Sequence, residues 1–410
     1  MQQTPVHQTI PSTTASAPPE ASSTIAQIAV LAALAASGAL ATNILLPSLP
    51  QMAASMKVPT AAITSAITIF LAVFAVGQLL VGPLSDRYGR RWPVLTGFAI
   101  YLAGSVWCAL ASDLPTLLAG RVVQAAGACA TSVLSRAIAR DLFEGARLAR
   151  VLTFVMVAMA AAPGFSPLVG GALDHYFGWR SAFLFVAVFA TVTAIAYASV
   201  FGETHRATRT ALAPLAIAKS YLALSIDRRF LVPALTVSLV LGGLFAMFSA
   251  APRVLIESLG FTPLQLGIFF AGTVLVVFSA GVLATKLVPR LGLDRSIQTG
   301  LMLAGLGAAI VLLVSLFDPR FLPFLFGTCV FLLGMGMVNP LGSAQTLSPF
   351  GDRAGTASAL LGFWQMMSAA ICVFIAAIVA KDPMIGLGLV LTLTTFSAAL
   401  LYQVRPRSVL

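Results

Sequence analysis

Apolar runs about 20 residues long recur along this chain from one end to the other, and each is long enough to cross roughly 30 Å of bilayer hydrocarbon as a helix. Of the 410 residues, 59% are hydrophobic and only 9% charged, and the mean hydropathy is +0.97. Soluble domains carry about 25% charged residues, so a soluble fold of this length is excluded. Backbone in lipid has no water to bond to, which leaves helices or a closed barrel. Barrel strands alternate polar and apolar residues, and these runs do not. The chain therefore reads as an all-α membrane protein.

Six spans fall near residues 25–47, 61–84, 93–111, 114–136, 149–173 and 179–200. Six more fall near 231–252, 264–287, 296–316, 321–345, 353–379 and 384–403. The expected organisation is a disordered cytoplasmic tail over 1–24, a six-helix bundle over 25–201 and a cytoplasmic linker over 202–229. A second six-helix bundle over 230–404 and a short cytoplasmic tail over 405–410 complete it. The first 24 residues contain no Lys or Arg, so they lack the basic start of a signal peptide.

Basic residues set the orientation. With the N-terminus inside, only Lys57, Arg180, Arg253, Arg320 and Lys381 of the 24 lysines and arginines fall outside, and Arg121 lies within a span. Both termini are therefore expected in the cytoplasm. The net charge of +11 has the same origin: it sits in short clusters between spans, which argues against a nucleic-acid partner. A weak internal repeat supports two related halves. Arg87-Tyr88-Gly89 follows the second span and Arg290-Leu291-Gly292 follows the eighth, as parallel repeats would place them.

Catalytic and cofactor chemistry finds no footing. Cys108, Cys129, Cys329 and Cys372 fall inside apolar runs without metal-ligand spacing. His7, His175 and His205 lie outside the spans, and the chain has no nucleotide-binding P-loop. The expectation is a protein that is not an enzyme and has no metal and no cofactor.

The most specific motif is Gly82-Pro83-Leu84-Ser85-Asp86-Arg87-Tyr88-Gly89-Arg90-Arg91. Positive-inside anchoring explains its arginines but not Gly82, Asp86 and Gly89 at these spacings. Physically, Gly82 permits close helix approach, and Asp86 suits a helix N-terminus or an arginine. The fourth span holds Arg121 with Gln124 three residues on, hence on the same face. Arginine within a span costs roughly 2.5–3.5 kcal/mol on insertion scales, which implies a partner or a wet cavity. The fifth span carries Pro163-Gly164-Phe165-Ser166-Pro167-Leu168-Val169-Gly170-Gly171, where Pro163 and Pro167 remove backbone donors while Gly170 and Gly171 allow tight packing.

These motifs resemble those of major-facilitator transporters: the loop signature G-x-L-x-D-R-x-G-R-R, the fourth-span R-x-x-Q and the fifth-span antiporter motif G-P-x-x-G-G, with Ser166 where glycine is usual. Leu46-Pro47-Ser48-Leu49-Pro50, Gly77-Gln78-Leu79, Ser135-Arg136-Ala137-Ile138-Ala139-Arg140-Asp141, Gly178-Trp179-Arg180 and Gly355-Thr356-Ala357-Ser358-Ala359 are similar to the bicyclomycin/chloramphenicol-resistance branch. The resemblance covers about residues 25–400 and implies a monomeric multi-pass exporter of small drug-like compounds in a bacterial inner membrane, exchanging cargo for protons. It further implies that the Asp86 loop, with Arg87 and Arg90, latches onto the eleventh helix when the transporter faces outward, and that Arg121 serves coupling or substrate contact.

One position departs from the branch. Its members commonly carry an acid in the first span where this chain has Asn43, which neither takes up a proton near neutral pH nor neutralises a cation. All thirteen acids are expected in tails, loops or span ends. Two readings stay open: proton exchange through an interfacial acid such as Glu257, Asp113 or Asp86, or movement of a neutral or anionic metabolite with Arg121 as the fixed charge. Between the halves, Asn43, Gln78, Arg121, Gln124, Asn339, Trp364 and Gln365 are the candidate cavity residues.

Overall fold

The computed structural model describes residues 20–204, 214–317 and 319–405, without the side chains of residues 20–24, 214 and 352. The expected tail over 1–24 falls mostly outside these residues. So do the middle of the linker with His205, Arg206 and Arg209, as well as Asp318 and all but the first residue of the C-terminal tail.

Among the described residues, twelve helices are long and apolar enough to cross a membrane. The first half contains α1 (Glu20–Asn43), α2 (Leu49–Met56), α3 (Thr60–Ile63), α4 (Ser65–Tyr88), α5 (Arg91–Leu110), α6 (Leu114–Leu142), α7 (Gly145–Phe177) and α8 (Arg180–Val200). A connecting helix α9 (Pro214–Ile226) lies within the linker. The second half contains α10 (Arg228–Pro252), α11 (Pro263–Leu291), α12 (Leu293–Phe317), α13 (Phe321–Leu347), α14 (Ala354–Ile378) and α15 (Pro383–Gln403). Two spans are broken. Pro47 and Pro50 cannot donate to a helical ladder, so α1 stops and a buried 3-10 turn over Leu46–Ser48 leads into α2. The second span is α3 followed by α4, and the eleventh is α14.

The two halves repeat each other's packing. In the first, α5 packs on α6, α1 on both α6 and α7, α4 on α6, and α5 on α8. Six spans later, α12 packs on α13, α10 on both α13 and α14, α11 on α13, and α12 on α15. The short sequence repeat has a matching backbone: Gly89 ends α4 at φ 85°, and Gly292 ends α11 at φ 79°. Only glycine takes that region without strain, which is why each repeat closes on it.

The halves meet along two seams, α4 against α14 and α7 against α11. One end of the bundle carries the start of α1, the end of α15 and the basic loops; the other carries the turn Leu46–Ser48 and the start of α11.

Candidate functional site

At the basic end, the motif loop is a network centred on Arg90. Its Nε donates to Asp141 at 2.9 Å and its Nη1 to Asp86 at 2.7 Å and to the Ser85 hydroxyl. Burial works against the Arg90 charge, but Asp141 first and Asp86 second outweigh it and hold the guanidinium's pKa above its ordinary value. Glu203, just beyond α8, accepts the backbone N–H of Arg90 at 2.8 Å and of Arg91 at 3.3 Å. A side chain at Gly89 would run into that carboxylate. Arg87 is exposed and lies over the Tyr88 ring at 5.4 Å.

The expected latch is not engaged. Asp86 pairs with Arg90, and a cavity of about 620 Å³ separates this loop from the small-residue start of α14. Gln78, Asp86, Arg136, Arg140, Arg353 and Thr356 are among its walls. Gly82 faces the same space with nothing within 4 Å of where a Cβ would stand, so the close approach anticipated there is absent from this arrangement. Deeper in, the seam does close: a Cβ on Gly362 of α14 would strike the Gln78 amide, and the Tyr221 hydroxyl of α9 donates to Leu79 O at 3.0 Å.

Arg121 is fully buried inside the first bundle. Its Nε donates to Ala66 O and its Nη1 to Ala41 O, both at 3.1 Å, and Nη1 also bonds Gln124 Oε1. The guanidinium lies 4.2 Å from the Phe70 ring centroid, and Gln124 passes the chain on to the Ser105 hydroxyl at 2.9 Å. Ala41 is available because it lies in the last turn of α1, where carbonyls lose their intrahelical partners. The partner implied by an intramembrane arginine is thus the ends of two broken helices, and Arg121 does not snorkel to an interface. Its Nη2 has no partner. Asn43 is buried nearby in the chain, its Nδ2 donating to Ala39 O at 2.8 Å and its Oδ1 unpartnered.

Asn339, Trp364 and Gln365 all lie in the second bundle. Gln365 Nε2 lies 3.4 Å from both Asn339 Oδ1 and Ser343 Oγ, which links α14 to α13. The Trp364 indole packs edge-on to Phe363, and its Nε1 is buried without an acceptor. Of the seven candidate cavity residues, only Gln78 lines the open cavity; Asn43, Arg121 and Gln124 belong to one half and are buried there, and Asn339, Trp364 and Gln365 belong to the other.

At the opposite end the halves are in contact. The fifth-span motif supplies that contact: a Cβ on Gly164 would strike Val274 and one on Gly171 the Pro263 carbonyl, while Gly170 packs within its own half, where a Cβ would strike the Ile44 carbonyl. Pro163 and Pro167 stay within α7, and Ser166 bonds back to Ala162 O. Thr60 donates to Glu257 at 2.7 Å across 197 residues of sequence. Sequence reasoning missed this pairing, the Glu203 clasp and the burial of Asp174, which was expected just past a span ending at 173 but lies inside α7. Only the polarity of these residues in apolar surroundings signals them.

Two pseudo-symmetric six-helix bundles, joined at one end and parted at the other around a polar cavity, define a multi-pass membrane transporter. The sequence profile of the Major Facilitator Superfamily matches residues 31–373. The chain belongs to that superfamily. It is 28% identical over 370 residues to Multidrug resistance protein D of Escherichia coli (strain K12), covering 89% of this chain and 91% of the relative. It is 29% identical over 345 residues to an uncharacterized MFS-type transporter, YdgK, of Bacillus subtilis (strain 168), covering 83% and 86%. A bicyclomycin resistance protein homolog of Haemophilus influenzae is 27% identical over 318 residues, covering 77% and 80%. Among solved structures, an inward-facing, unoccupied bacterial homolog of the human lysosomal transporter Spinster superposes with a TM-score of 0.71 at 15% identity, over 94% of this chain and 97% of that one. A POT family transporter in complex with 5-aminolevulinic acid gives 0.70 at 12% identity, over 91% and 94%. These two establish likeness of fold.

Proposed function

We propose that this protein exports small drug-like compounds across a bacterial inner membrane by alternating access, in exchange for protons. The basic end is then cytoplasmic and the opposite end is the outer one. The observation that carries this reading is the asymmetry between the ends: the space between the halves is open beside Asp86 and Thr356, and packed shut at Gly171–Pro263 and Thr60–Glu257. An exporter loads from the cytoplasm in such a shape. The relatives named for multidrug and bicyclomycin resistance support drug-like cargo. The protein works as a monomer within the bilayer and catalyses no covalent step.

A second reading is export or import of a neutral or anionic metabolite. Arg136, Arg140 and Arg353 line the cavity, while its two carboxylates, Asp86 and Asp141, are both spent on Arg90. Expression in a drug-sensitive host, with susceptibility and metabolite retention measured side by side, separates the two. Raised resistance to at least one compound class is the expected result; unchanged susceptibility throughout, with altered metabolite retention, overturns it.

A further inference from the structure

Asp174 is the one fully described acid that is buried in this protein, at 7% exposure. It lies on α7 four residues after Gly170 and three after Gly171, so it shares the face that those glycines press against the Ile44 and Pro263 carbonyls. That face meets the turn Leu46–Ser48, which in turn touches α10 and α11 of the other half. The carboxyl therefore sits directly under the closed outer seam. Ser48 stands beside it, yet outside hydrogen-bond geometry: both Ser48 Oγ and Asp174 Oδ1 are buried without a partner.

Among the described residues, no lysine or arginine forms an ion pair with this acid. His175, the next residue in the chain, is exposed. The other elements at this end bring none to it. The sequences of the Leu46–Ser48 turn and α2 contain no charged residue, and in α11 the first is Lys286, at the far end. Arg180 of α8 donates to Ala111 O and stacks on Trp179. After α10, Glu257 accepts from Thr60, and the Arg253 Nε is buried without a hydrogen-bond partner; Lys57 is exposed on the left-handed turn beyond α2. A buried carboxylate without a cation or a full set of donors is strongly unfavourable, whereas a carboxyl that holds a proton is not.

We propose that Asp174, beside Ser48, is a proton-binding site of the outer gate: the carboxylate takes a proton from the outer solution as the gate closes and returns it when the gate opens. The closed form binds one more proton than the open form, so linkage makes low pH favour closure and high pH favour opening. This rests on the alternating-access part of the proposed function and on nothing about cargo.

Hydrogen–deuterium exchange of the detergent-solubilised full chain, corrected for intrinsic rates, reads the gate without any cargo. In the wild type, exchange over 44–52 and 168–178 is expected to rise several-fold between about pH 5 and pH 8. Asp174→Asn, a permanent mimic of the protonated form, is expected to hold both segments at the low-pH level throughout. His175→Gln is expected to keep the pH dependence. If Asp174→Asn does not yield monodisperse protein, Ser48→Ala carries the test, since loss of the neighbouring hydroxyl must move the pH midpoint. The proposal is overturned if the wild type shows no pH dependence, if Asp174→Asn or Ser48→Ala leaves it unmoved, if His175→Gln removes it, or if the segments respond to sodium at fixed pH instead. None of these outcomes depends on whether drugs are exported.

Discussion

Thr60 donates a 2.7 Å hydrogen bond to Glu257 across the two halves at one end of the molecule, while at the other end Asp86 turns away from α14 to bind Arg90. These two relationships give the protein its one-sided opening. Pairs of spin labels at Thr60 with Glu257 and at Asp86 with Thr356 are expected to report anticorrelated distances: the outer pair short whenever the inner pair is long. Two distances that change together, or neither changing across pH and candidate cargo, would count against alternating access.

Arg121 acts as a clamp. It joins α1, α4 and α6 through carbonyls at the broken ends of the first two spans. Arg121→Ala loses at least two charge-assisted bonds, each worth about 1.5–3 kcal/mol, offset in part by relief of the buried charge. A clear drop in melting temperature is expected. Arg121→Lys should not restore it, since a single ammonium lacks the planar fork that reaches both carbonyls. Thermal unfolding of both variants in detergent checks this; full rescue by lysine would remove the clamp.

The basic-end network makes a separate forecast. Asp141→Asn takes one of two carboxylates from Arg90 and is expected to cost about 1.5–3 kcal/mol, because Asp86 remains in place at 2.7 Å. Freed from sharing, Arg90 is expected to hold Asp86 more firmly and so keep it away from α14. Slower transport with nearly unchanged cargo affinity is the outcome to look for in initial-rate measurements.

Asn43 is buried with its Oδ1 unpartnered, in the same α1 end that Arg121 grips through Ala41. Asn43→Asp places a carboxylate where the branch usually has one, and is expected to make transport more steeply pH-dependent and to favour cationic cargo. Unchanged rates, pH profile and preference would exclude Asn43 from coupling and binding alike.

Much of this was legible in the sequence, for reasons that are local. Gly89 and Gly292 announce themselves because a left-handed turn requires glycine, and Gly170 and Gly171 because close packing does. Long-range pairings were not legible. Nothing in the spacing of Arg121 says that its partners are the carbonyls of Ala41, which the end of the first helix before Pro47 leaves available, and of Ala66, at the start of α4. Glu203 read as one more linker charge until it met the backbone of Arg90, 113 residues away. Polarity alone does not tell an amide that faces a cavity from one that ties two helices of one bundle together, as Gln365 does with Asn339.

The most direct test of export by proton exchange is uptake into proteoliposomes acidic inside, using a small panel of neutral and cationic drug-like compounds. The account predicts accumulation of at least one compound, lost when the pH gradient is collapsed. Movement of every compound at the same rate with and without the gradient, or no movement at all from protein shown to be folded, would contradict it.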